Sequence, residues 1–326
     1  MLALTVSLLI GGLPGAAPGA LRDPSALRAD VATIAQPTRE GRTSAVVALI
    51  RKAGFVPEIE TFDGGNVRRG PIAGRNVSFV VNPPSTSRAR EILLVAHYDA
   101  AYLPDNGLSQ GLVDNGASVV AMIEAARLMR ADYAGARLKH RVRVLFTDQE
   151  ELDLVGAKQW IVRHGIANLD AVINADVAAY GHTIMYGENN GAPGRPLNRA
   201  IAQLCVDCAV DCVAFPVYPS SDDRAFYRAG APVLSLGYQD AIGARQFWLM
   251  FNGGDAAGLP ADFRHKIYRT IHTPGDRLDE VDGTTLAESA TFYAALVARI
   301  DRLRRGPPDR NVYRPARATS FSGERK

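Results

Sequence analysis

Two periodicities of apolar positions alternate along this chain. From 25 to 53, Leu27, Val31, Ile34, Val46, Val47 and Ile50 recur at helical spacing, which predicts an amphipathic helix. Short strands are predicted at Pro57–Phe62 and Asn76–Val81, and Ile92–Ala96 is a continuous apolar run of the kind found in buried parallel strands. Ser118–Arg130 returns to the helical period, Val142–Phe146 reads as a strand, residues 156–164 as a helix and Ala171–Asn174 as a strand. A helix near 197–210, a strand at Val233–Leu236 and a long helix near 284–304 continue the alternation. Residues 240–265 are rich in glycine and lack a pattern, so they read as a surface loop. Strands alternating with helices imply an α/β fold, a three-layer sandwich whose mixed, mainly parallel central sheet carries helices on both faces.

Composition changes this picture only at the ends. With 326 residues, 47% hydrophobic and 22% charged, the chain is ordinary for a globular protein. A formal net charge of +3, with arginines scattered rather than massed, argues against a nucleic-acid partner. The stretch 1–20, MLALTVSLLIGGLPGAAPGA, is uncharged and ends in Ala, Gly and Pro, like the hydrophobic and cleavage regions of a secretory signal. It lacks a basic start, and its most apolar part, Leu2 to Ile10, is too short to span a bilayer. Export or membrane tethering is therefore expected, with one domain over 21–305 and a loose polar tail over 306–326.

Three polar clusters follow three predicted strands directly. Ile92–Ala96 runs into His97-Tyr98-Asp99, Val142–Phe146 into Thr147-Asp148-Gln149-Glu150-Glu151, and Ala171–Asn174 into Ala175-Asp176. In such sheets ligands bind beyond the carboxyl ends of the strands. One ionisable residue at a strand end is usually plain surface; three clusters at one sheet edge are harder to assign to solvent. Imidazoles with carboxylates form the ligand set of zinc or a similar divalent ion. In an extended segment His97 and Asp99 share a side, so Asp99 is placed to hold the ring nitrogen of His97 that faces away from a metal. Glu150 and Glu151, as neighbours, diverge: one is free to ligate and the other to carry a proton.

At this point the sequence resembles the M28 family of zinc peptidases. HYDA (97–100), GLVDNGAS (111–118), QEELDLVGAKQW (149–160), NADVAAYG (174–181), SDDRAFYRAGAPV (221–233) and HTPGD (272–276) are similar to six of its motifs, in family order, from about 90 to 290. The resemblance implies two zinc ions per chain. Asp114 would bridge them, His97 and Asp176 would complete one site, and Glu151 and His272 the other. Glu150 would be the general base on a water between the ions, supported by Asp99 beside His97, and the Asp114–Asn115 peptide would be cis. The implied substrate is a peptide or small aminoacyl compound cut at its amino end. The same resemblance extends to glutaminyl cyclases, acyl transferases with one zinc. Those usually carry Trp before the final His-Thr, where this chain has Ile271.

Two positions depart from the family pattern. Gln149 stands where a glycine usually precedes the paired glutamates, so the loop must accommodate a side chain. Asp223 stands where the family often has His, and with Asp222 it predicts an acidic rim that favours a substrate's free α-amine. Trp160, Tyr186, Phe247, Trp248 and Phe251 are candidates for an apolar specificity pocket or for simple packing, Trp160 rather for packing. His140, His164, His182 and His265 match no motif. Cys205, Cys208 and Cys212 supply too few ligands for a metal; one pair forms a disulfide in an exported protein, or all three pack as small apolar residues.

Overall fold

The computed structural model describes residues 20–82, 90–132, 138–260 and 262–303, so the expected signal segment and the tail lie outside the described residues, apart from Ala20. Among the described residues no helix is long and apolar enough to cross a membrane. The elements run in the order α1 (Pro24–Ala32), α2 (Arg39–Lys52), β1 (Glu58–Asn66), β2 (Gly70–Asn82), β3 (Glu91–His97), α3 (Ala117–Asp132), β4 (Arg141–Thr147), α4 (Val155–His164) and β5 (Leu169–Ala175). They continue with β6 (Thr183–Gly187), α5 (Gly191–Asp207), β7 (Cys212–Phe215), α6 (Asp223–Arg228), β8 (Val233–Gln239), α7 (Ala241–Asn252), α8 (Ile267–Thr270) and α9 (Gly283–Asp301).

The eight strands form one sheet in the order β1-β2-β4-β3-β5-β8-β6-β7. Its centre, β4-β3-β5-β8, is parallel, and the β1–β2 hairpin and β6 join it antiparallel. Alternation along the central strands separates two cores. Ile92, Leu94 and Ala96 of β3 face the larger one, covered by α1, α2, α3, α5 and α9. Leu93 and Val95 face a smaller one, covered by α4 and α6. With side chains of period two buried on both faces, the run Ile92–Ala96 is apolar throughout, and polar residues stand only at the two ends of β3, Glu91 and His97.

Several boundaries differ from the sequence expectation. The single helix over 25–53 is two helices, because Pro37 has no N–H to donate and disfavours the helical conformation at Gln36. Thr38 then starts α2 by accepting the Gly41 N–H on its side-chain oxygen at 3.0 Å. The supposed loop over 240–265 contains α7, capped by Asp240, whose carboxylate accepts the Ile242 and Gly243 amides at 3.1 and 2.8 Å. Ala244, Phe247 and Phe251 make its inward stripe, which the flanking glycines obscured. Strands β6 and β7, five and four residues long, were too short to stand out.

A disulfide between Cys205 and Cys212 ties the end of α5 to the start of β7, and Cys208 is a free thiol. Phe247 packs against Phe215, Phe251, Tyr268 and His265, Trp248 donates to the Ala214 carbonyl at 3.0 Å, and Tyr186 is buried in the larger core. Trp160 lies against Phe226 and His164. Tyr186, Phe247 and Trp160 are thus buried packing residues, whereas Trp248 and Phe251 are half-buried.

Candidate metal centre

Parallel strands end at the same edge, and their register sets the site. His97 pairs with Thr147 on β4; on the other side Val95 pairs with Asn174, which brings Asp176 level with His97. Asp114 comes from the irregular turn Leu112–Gly116 before α3, and His272 from the segment after α8. The Asp114–Asn115 peptide is cis.

All seven residues singled out in the sequence meet here. Asp114 sits between the two histidines, with Oδ1 3.0 Å from His97 Nε2 and Oδ2 3.1 Å from His272 Nε2. Asp176 Oδ1 is 3.8 Å from the same His97 nitrogen, and Glu151 Oε1 is 3.2 Å from His272 Nε2. On the far side of the ring, His97 Nδ1 lies 3.4 Å from Asp99 Oδ1. Asp99 also accepts the backbone N–H groups of Glu150 and Glu151 at 3.1 and 3.3 Å, so it couples the end of β3 to the glutamate turn.

Other loops are cross-tied in the same way. Asn115 donates to the Ala175 carbonyl at 2.9 Å and accepts the Val177 N–H at 3.1 Å, bracketing Asp176. Asp276 accepts the N–H groups of Leu112, Val113 and Asp114 at 2.8, 2.7 and 3.2 Å. The Tyr180 hydroxyl meets that of Thr270 at 3.0 Å, joining the segment after Asp176 to the one before His272. The sequence reading did not assign these ties; Asp276 lay inside HTPGD, but a backbone-binding role has no sequence signature.

The backbone is held in sparsely populated conformations beside the ligands. Gln149, Val177 and His272 have φ of +64°, +61° and +56°. For a β-branched residue such as Val177 this is a marked outlier, and positions of this kind cost on the order of 1–3 kcal/mol each. Gln149 accommodates its side chain by turning it under the hairpin, where Oε1 accepts the Gly65 N–H at 2.7 Å and Nε2 donates to the Ile72 carbonyl at 3.0 Å. Gly64 and Gly74 make the room: a Cβ there would lie 2.3 and 2.7 Å from the Gln149 amide.

The acidic rim expected from Asp222 and Asp223 does not exist. Both are buried, because α6 starts beneath the sheet edge instead of at its surface. Asp222 takes the Thr147 hydroxyl, and Asp223 accepts the Ser221 N–H at 2.8 Å.

The electrostatics are those of a cation site. Burial pushes Glu151 up to about 7, with the charge of Asp114 adding to it. Burial drives Glu150 well above the usual carboxylate range, and Asp222, Glu151 and Asp176 reinforce the shift. Hydrogen bonds to Asp114 and Glu151 raise His272 to about 11. Burial opposes a charge on His97, yet Asp114, Asp176 and Asp99 together hold its pKa well above the ordinary value. Carboxylates this close need positive charge between them. The donor set also fits: His97, Asp114 and Glu151 each offer a ligand atom within 4.8 Å of the others, and the buried oxygens Asp176 Oδ1 and Glu151 Oε1 face the His97 and His272 rings at 3.8 and 3.2 Å.

Solved structures that share the fold include two aminopeptidases and a glutaminyl cyclase. The chain is similar to a zinc aminopeptidase from Bacillus subtilis, with TM-score 0.63 and 12% identity over 86% of this chain and 95% of that one. It is similar to an aminopeptidase from Aneurinibacillus sp. strain AM-1, with TM-score 0.64 and 11% identity over 85% and 93%. It is also similar to the glutaminyl cyclase of Porphyromonas gingivalis, with TM-score 0.61 and 16% identity over 86% and 99%. No curated protein shows a significant sequence match. Residues 76–297 match the sequence profile of peptidase family M28, and the chain belongs to that family.

Proposed function

We propose that the protein is a zinc-dependent aminopeptidase that hydrolyses the first peptide bond of its substrates. The observation that carries this reading is Asp114, whose two oxygens face His97 and His272 at 3.0 and 3.1 Å, the placement of a carboxylate shared by two cations. His97 and Asp176 would hold one ion, Glu151 and His272 the other. When bound, such ions polarise a carbonyl and lower the pKa of a water.

The chain's own residues do the rest. Glu150 is not needed as a ligand, and burial raises its affinity for a proton, which suits a carboxylate that takes a proton from the attacking water and returns it to the leaving amine. Asp99 fixes both partners of that chemistry: it receives the Glu150 N–H and lies beside the His97 ring. The choice of the amino end rests on the resemblance to aminopeptidases, two of which share this fold.

The test combines metal analysis with activity on aminoacyl anilides and on an N-terminal glutaminyl peptide. Two zincs per chain and anilide hydrolysis support the reading, provided that a chelator abolishes activity and zinc restores it. Glu150→Ala should keep its zinc and lose at least about 100-fold in kcat. One zinc with pyroglutamate formation would replace the peptidase with a cyclase.

A further inference from the structure

Arg42, on α2, lies outside the residues that match the family profile, and it is among the largest fully buried side chains, at 1% exposure. A buried guanidinium usually meets a carboxylate. Here every hydrogen bond from Arg42 goes to a backbone carbonyl: Nε to Tyr98 at 2.8 Å, Nη1 to Gln110 at 2.7 Å, and Nη2 to Asp99 at 3.5 Å and Gly111 at 3.3 Å. Two of these carbonyls belong to the segment that starts at His97, and two to the segment that leads into Asp114. The fork therefore spans the two loops that bring His97 and Asp114 within 3.0 Å of each other.

Neighbouring features agree with that task. Gly111 has φ of +57°, and a Cβ there would lie 2.9 Å from Arg42 Nη2 and 2.7 Å from the Ala100 Cβ, so the loop is shaped around the guanidinium. Burial works against the charge, and the Asp99 and Asp276 carboxylates support it. Those same two carboxylates bind the backbone of the glutamate turn and of the Asp114 turn. Nearby, the Tyr98 hydroxyl meets Thr43 of α2 at 2.8 Å and donates to the Arg75 carbonyl at 2.7 Å, which fixes the helix against the loop.

We infer that Arg42 is a positioning residue for the metal centre: its planar fork sets the spacing of the His97 and Asp114 loops, and α2 is thereby a working part of the site. This inference rests on the reading that the site binds zinc. The full-length chain is compared with Arg42→Met and Arg42→Lys, and with Val46→Ala as a control that loosens the buried face of α2 but removes none of these hydrogen bonds. Zinc affinity is measured by competition with a chelating dye, fold by circular dichroism, and kcat and KM on an aminoacyl anilide at saturating zinc. Arg42→Met is expected to bind zinc roughly 10–100-fold more weakly than the parent, as other groups that orient metal ligands do. Its kcat should fall while KM changes by less than about twofold. Arg42→Lys keeps the charge but not the fork, and should lie between the two. Val46→Ala should lower the melting temperature alone.

Folded Arg42→Met with the parent's zinc affinity and kcat would overturn the inference. So would a loss in Val46→Ala equal to that in Arg42→Met, since α2 would then act only through stability. If Arg42→Met does not fold, Arg42→Lys decides by the same two readouts. A parent chain that takes up no zinc removes the metallopeptidase reading itself and this inference with it, whereas parent zinc binding matched by both arginine variants removes the inference alone.

Discussion

Adding one methyl group at Gly64 tests how the Glu150 turn is held. The position has an ordinary φ, so the backbone tolerates alanine, but the new Cβ would lie 2.3 Å from Gln149 Oε1, 2.9 Å from its Cδ and 3.0 Å from its Nε2. Since real carbon atoms do not approach so closely, the Gln149 amide must leave its place. It would then lose its bonds to Gly65 N and Ile72 O, about 1 kcal/mol each, with overpacking adding roughly 1–3 kcal/mol.

With Gln149→Gly as background the obstruction is gone, and Gly64→Ala should be neutral or stabilising by up to about 1 kcal/mol, as glycine is unfavourable inside a strand. Gln149→Gly alone deletes the two bonds but relieves a left-handed conformation worth about 1–2 kcal/mol, so by itself it is close to neutral. The double-mutant cycle isolates the contact, with an expected coupling of at least about 3 kcal/mol. Urea unfolding of the four proteins measures it, with unchanged m-values as the check on two-state behaviour. A coupling below about 0.5 kcal/mol would refute the reasoning: the amide would not be wedged between Gly64 and the turn.

Three further outcomes follow from other parts of the molecule. Asp276→Ala leaves the buried N–H groups of Leu112, Val113 and Asp114 without their carboxylate, and should cost at least about 2 kcal/mol in chemical unfolding. At the opposite end of the sheet, burial raises the Asp301 carboxyl, but bonds from the His140 ring and from the Lys139 and His140 amides outweigh it and hold its pKa below the ordinary value. The stability it contributes is therefore complete above about pH 4 and lost as the pH falls through the folded value, so Asp301→Asn should flatten the acid side of the stability profile. The Cys205–Cys212 bridge closes a loop of 7 residues, and replacing both cysteines by alanine should cost roughly 2–3 kcal/mol without altering zinc uptake.

The order of the elements and most of the centre were legible in the chain. Continuous apolar runs such as Ile92–Ala96 describe a strand buried on both faces, and the polar residues that end them are forced to the strand termini. His97, Glu150, Glu151 and Asp176 could thus be placed at one sheet edge, while Asp114 and His272, on segments between elements, entered only through resemblance to a family. Local chemistry sufficed where periodicity was strong; it failed over α7, whose short stripe lies between glycines, and at Pro37, which divides a helical pattern in two.

Apart from the contact of Asp99 with the His97 ring, which their spacing announced, tertiary structure alone decided what holds the metal-site residues still. Arg42, Asp99 and Asp276 bind backbone groups, which every residue carries, so nothing at the receiving positions announces the bond in the sequence. The same holds for Asp222 and Asp223: a pair of acids reads as surface until the packing of α6 encloses them. Side-chain patterns encode which faces are buried, whereas the distance between His97 and Asp114 depends on contacts across 56 to 164 residues of chain, which no local pattern contains.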